Sequence, residues 1–184
     1  MKIIKINYYQ PKFDGKWLDN SIAYHTWLVN LRFKRLNKIP WNVYNDLLCS
    51  HIEIETPDDR CWTSTLGQTG GHKKNDPKGG VCVRPSSEVL TNPGRWFHND
   101  EELTDEEYIT LLENMTRSVV NNLGYEKKLI ARYFGITIDN PDMYVCSEFV
   151  DEHLDDIGKG VESENPSPFR FALEKYCQGK LFYS

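Results

Sequence analysis

With 184 residues, of which 39% are hydrophobic, 27% charged and 12% aromatic, the chain carries enough apolar material to close one core, which excludes wholesale disorder. A formal net charge of −5 excludes a broad electrostatic grip on a phosphate backbone, so no nucleic-acid partner is expected. The one basic cluster, Arg32, Lys34, Arg35 and Lys38, reads as a solvated helix face.

Taken in order, residues 1–9 alternate and predict a strand, closed by Pro11 and Asp14-Gly15. Trp17, Ile22, Trp27, Leu28 and Leu31 recur at helical spacing and predict one helix over 17–36, ended by Pro40. The segment 42–48 is ambiguous. Residues 49–56 alternate as a strand, the turn Pro57-Asp58-Asp59 follows, and a hairpin partner is expected over 60–66. The run 67–80, with Gly70, Gly71, Pro77 and Gly79, predicts a surface loop insertion that could act as a lid. Strands are predicted over 80–84 and 95–98, giving a mostly antiparallel sheet.

Thr104 and Glu107 form a capping box. Behind it Ile109, Leu112, Met115, Val119, Val120 and Leu123 predict a helix up to Gly124, and a shorter helix over 126–134 completes a helical segment at 104–134. Next comes a helix led by Cys146, with Phe149, Val150, Leu154 and Ile157 on one face and Gly158 at its end. Ser167-Pro168 supplies an N-cap and a first-turn proline for a last helix carrying Phe171, Leu173, Lys175 and Tyr176.

No apolar run is long enough to span a bilayer, and the first seven residues alternate rather than forming a signal-peptide core; no membrane span and no Sec signal peptide are expected. Cys49, Cys61, Cys82, Cys146 and Cys177 are odd in number and widely spaced, which fits a reducing, cytoplasmic setting better than a disulfide framework.

Two segments carry chemistry. Cys146 stands where an extended run turns into a helix, and unpaired N–H groups with the positive end of the helix dipole favour a thiolate and an oxyanion there. Glu148, Asp151, Glu152, Asp155 and Asp156 oppose that, so the thiol needs a cationic partner. His51 is the candidate, because the pleat puts Glu53 on its face, with Cys49 beside them and Ile52 and Ile54 on the opposite, core face. Glu53 orients the imidazole in this reading, with Ser64 or Thr63 as alternatives. A core role for the cysteine and a structural one for the histidine are the plain alternatives, and spacing does not decide between them. A zinc site from Cys49, His51, Cys61, His72 and Cys82 finds no Cys-x-x-Cys or His-Glu-x-x-His pair in support. The 67–74 run lacks the Gly-Lys-Ser/Thr ending of a phosphate loop.

His51-Ile52-Glu53, Trp62-Thr63-Ser64, Lys78-Gly79-Gly80-Val81, Arg84, Trp96, Cys146-Ser147-Glu148-Phe149-Val150 and Ser167-Pro168 together resemble the circularly permuted NlpC-type papain-like cysteine hydrolases. That group includes the YiiX-like proteins, phage and prophage members and, more distantly, the lecithin:retinol acyltransferases; in it the strand histidine precedes the helix-borne cysteine. The resemblance covers roughly residues 40–175. It implies an α+β papain-like fold in a single domain over 1–184, with Cys146 as nucleophile, His51 as general base and Glu53 as third member. The insertion at 67–80 departs from the pattern and leaves the substrate entrance open.

The expected activity is therefore that of a cysteine hydrolase or acyltransferase, a peptidase or amidase among the options, acting on an amide, ester or thioester carbonyl of an acyl or peptide substrate, with no cofactor and no metal. The alternative is a catalytically inactive phage or bacterial interaction protein on the same fold, in the host cytoplasm if phage-encoded.

Overall fold

A computed structural model describes residues 1–11, 17–65, 79–121, 123–125, 143–164 and 166–184. The first half of the chain contributes β1 (Lys2–Tyr9), α1 (Trp17–Val29), α2 (Leu31–Leu36), α3 (Trp41–Asp46), β2 (His51–Thr56), β3 (Arg60–Thr65), β4 (Gly80–Pro85) and α4 (Ser86–Val89). The second half adds β5 (Trp96–Leu103), α5 (Asp105–Val120), the two-residue strands β6 (Gly124–Tyr125) and β7 (Met143–Tyr144), α6 (Cys146–Asp155) and α7 (Pro168–Cys177).

Alternation in β1 sends Ile4, Ile6 and Tyr8 to one face, and pairing multiplies that face across the sheet. Tyr8 lies opposite Ile52 and Phe97, and Ile6 opposite Ile54. The five strands run antiparallel in the order β4-β3-β2-β1-β5, which puts β2 at the centre. Against the apolar face pack Phe149, Val150 and Leu154 of α6 with Phe169, Phe171 and Leu173 of α7, all fully buried. Each such side chain stabilises by roughly 1.5–3 kcal/mol. The architecture is α+β, a five-stranded antiparallel sheet packed against helices. Among the described residues no helix is long and apolar enough to cross a membrane.

Helix ends follow local chemistry. Thr104 Oγ1 accepts from Glu107 N at 3.1 Å while Glu107 Oε2 accepts from Thr104 N at 2.6 Å, the reciprocal pattern that its sequence predicts. Ser167 Oγ accepts from Arg170 N ahead of Pro168. Gly158, at φ 69°, takes the left-handed turn beyond α6.

Other expectations change. The helix predicted over 17–36 divides at Asn30 (φ −88°, ψ 0°) into α1 and α2, and the ambiguous 42–48 forms the short helix α3. The strand predicted over 95–98 is β5 and runs on to Leu103, since pairing with all eight residues of β1 holds it extended. In α5 the buried positions are Leu111, Met115 and Ser118, so Ile109 and Val120 fall off the inward stripe and are exposed. That helix stops at Val120, and Gly124 enters the short strand β6. Cys49 is not on the His51 face: it precedes the strand, where alternation no longer holds, and joins the core cluster with Ile52 and Ile54. The helix predicted over 126–134 and most of the predicted lid lie outside the described residues.

Candidate active site

His51 opens β2 and lies opposite Tyr9 of β1, at the end of the sheet. Two residues on, Glu53 emerges on the same face, and its Oε1 lies 2.9 Å from His51 Nε2. Glu53 is fully buried, and a buried carboxylate requires a counter-charge. Arg84 supplies it, donating from Nη2 to the same Oε1 at 3.2 Å. The register explains the reach. Arg84 lies opposite Cys61, and Cys61 opposite Glu55, so the long Arg84 side chain crosses β3 diagonally to Glu53. Thr63 donates its hydroxyl to the Ile52 carbonyl at 3.0 Å, so Glu53 and not Thr63 engages Nε2. Ser64, opposite Val81, alternates onto the other face of β3.

Cys146 is the first residue of α6, a helix that packs across β2 and β3. Its N-cap, Val145, is extended and makes no side-chain cap hydrogen bond. Glu148 Oε2 accepts the Val145 N–H at 3.1 Å. Cys146 is 4% exposed.

The His51 ring holds Glu53 at Nε2 and lies near enough to Cys146 for that side chain to act on its protonation. Burial, the largest single influence on His51, pushes its pKa down; Cys146 and then Glu53 outweigh burial and hold it up at about 10. His51 therefore keeps its proton at neutral pH, the state that stabilises a thiolate beside it.

A raised histidine pKa has a signed consequence. The stabilisation from His51 is fully present below its ordinary 6.5 and is lost as pH rises through about 10. Urea unfolding of the wild type and His51→Gln is expected to differ most below pH 6.5 and to converge above pH 10; a difference independent of pH would mean that His51 is neutral in the fold.

The other cysteines are placed differently. Burial pushes the Cys49 and Cys61 thiols up, Cys146 adding to the rise at Cys49 and Glu53 to that at Cys61, and burial also raises Cys177. Among the other histidines, His153 is spent on Phe149 O at 2.7 Å and Ser118 Oγ at 3.0 Å. Among the described residues no three His, Cys, Asp or Glu side chains are grouped as a metal requires. Cys49 lies in the main core and Cys61 in a second cluster with Tyr9, Val89 and Trp96, which separates two of the five residues of the zinc reading; His72 lies outside the described residues.

Trp96 stands T-shaped against His51, centroids 6.4 Å apart. It also lines a cavity of about 660 Å³ with Gln10, Asp46, Leu47, Phe97 and Phe182. That volume lies within the range of small-molecule pockets.

The structure thus brings Cys146, His51 and Glu53 together. Sequence reasoning assigned no role to Arg84 or Trp96. The available signal was parity: Arg84 sits in an alternating strand where its charge would face the Glu53 side of a sheet. The chain matches no protein-family model, no curated protein and no solved structure.

Proposed function

We propose that this protein is a cysteine hydrolase or acyltransferase of the permuted papain-like type, acting on an amide, ester or thioester carbonyl. The observation that carries the reading is one imidazole hydrogen-bonded to buried Glu53 and set beside Cys146 at the start of α6. Spatially joined nucleophile, base and orienting group are the signature of activated-nucleophile catalysis. The chain order, histidine strand before cysteine helix, supports the same family.

In this mechanism the Cys146 sulfur attacks the carbonyl carbon while His51 holds the thiol proton. The N–H groups at the start of α6 stabilise the oxyanion, and His51 gives its proton to the leaving amine, alcohol or thiol as the acyl bond breaks. The resulting thioester is then cleaved by water or another acceptor, whose proton passes to His51. Glu53, held by Arg84, keeps the ring oriented throughout.

The test is acyl trapping. Incubation with an activated thioester or ester, followed by intact-mass and peptide analysis, is expected to give one acyl adduct on Cys146, absent from Cys146→Ala. Acylation spread over the exposed Cys177, or none at all, overturns the reading. One observation favours an interaction protein on the same fold instead: Cys146 is only 4% exposed, so a substrate needs the site to open. Intact protein that stays unlabelled until it is unfolded is the outcome that selects this second reading.

A further inference from the structure

We propose that the outward face of α1 and α2, with the start of α3, docks on an anionic lipid bilayer surface. Although the chain carries a net charge of −5, residues 20–45 contain no Asp or Glu and include Arg32, Lys34, Arg35 and Lys38. Asn30 divides the two helices, its N–H bonded to Thr26 O at 3.2 Å and its carbonyl accepting from Lys34 N at 3.0 Å. Positions 24 and 28 share a face of α1, and positions 32, 35 and 36 share a face of α2.

That face points to solvent and yet is apolar as well as basic. Tyr24 is 57%, Leu28 42% and Leu36 71% exposed, with exposed Arg32 and Arg35 between them. Alongside, Trp41 is 53% exposed, its ring held 3.8 Å from Lys34 Nζ. A solvent-facing helix surface is ordinarily polar; a mixture of aliphatic, aromatic and cationic side chains is the composition of a helix lying in the bilayer interface. Among the described residues no carboxylate pairs with Arg32, Arg35 or Lys38, so their charge is open to an external anion.

Charge decides the orientation and the occupant. An anionic surface repels the acidic remainder of the chain and attracts this acid-free face, within about a Debye length of 10 Å. The exposed Leu28 and Leu36 give no advantage to a soluble polyanion, and a bilayer is the partner that buries them.

The test is co-sedimentation of the full chain with vesicles of equal parts phosphatidylglycerol and phosphatidylcholine, against phosphatidylcholine alone. Binding is expected to the anionic vesicles only and to weaken with added salt. Charge reversal in R32E/R35E/K38E is expected to lower partitioning on the order of a hundredfold. Leu28→Ser with Leu36→Ser is expected to lower it by about tenfold or more, with unchanged thermal unfolding because both side chains are largely exposed. Failure to bind anionic vesicles, or equal binding by the charge-reversed variant, overturns the proposal. So does full binding by the two-serine variant together with equally tight, cation-dependent binding to heparin, which marks a polyanion or acidic-protein site.

Discussion

His51→Ala is expected to lower Cys146-dependent cleavage of an activated aryl ester by about 10²- to 10⁴-fold, the range of a lost general acid–base group. Two physical losses combine in this variant. Cys146 loses the protonated imidazole beside it, and the leaving group loses the proton that His51 would deliver. The wild-type rate is expected to fall at alkaline pH with a midpoint near 10, where His51 releases its proton, and that limb should vanish in His51→Ala. The measurement is initial rate against pH for wild type, His51→Ala and Cys146→Ala. A His51→Ala rate within a few-fold of wild type would detach the histidine from the chemistry.

Glu53→Ala is expected to cost about 3–5 kcal/mol of folding stability, the usual consequence of removing one partner of a buried ion pair. Glu53 is fully buried and Arg84 is 17% exposed at its side chain, so the substitution strands a guanidinium and an imidazolium with no anion between them. The double variant Glu53→Leu with Arg84→Met is expected to recover most of that loss, because it removes both charges and keeps the volume. It is not expected to recover ester cleavage, since His51 Nε2 still has no acceptor. Urea unfolding and the ester assay, run on the same three proteins, separate the two roles. A single-variant cost under about 1 kcal/mol would contradict a desolvated pair and would put Glu53 in contact with solvent.

The two experiments bear on different parts of one chain of contacts. Arg84 acts on the imidazole only through Glu53, so it positions rather than reacts. His51 acts on Cys146 directly. The order of effect on turnover should therefore be Cys146, then His51, then Glu53, with Arg84 last. The vesicle experiment is independent of all of these, because the α1–α2 face contains none of the four residues.

The sequence by itself determined what depends on near neighbours along the chain. Period-two alternation in β1 and β2, the Thr104–Glu107 cap and the Ser167–Pro168 start are local events, each settled within a few residues. The same holds for His51 and Glu53, because the pleat returns every second side chain to one face. Even so, local pattern misled where an element ended: Cys49 precedes the strand, and its alternation with His51 had no physical meaning. Only the tertiary structure decided which distant groups meet. Lys175 of α7 is buried against Glu101 of β5 at 3.0 Å, a partner from another element that no spacing announces. Cys146 reaches His51 because α6 packs its Phe149, Val150 and Leu154 onto β2 and β3, and Arg84 reaches Glu53 because the strand register crosses β3. Pairing and packing select such contacts from a whole-molecule free energy, which is why a sequence can nominate a thiol and a histidine and only the fold can join them.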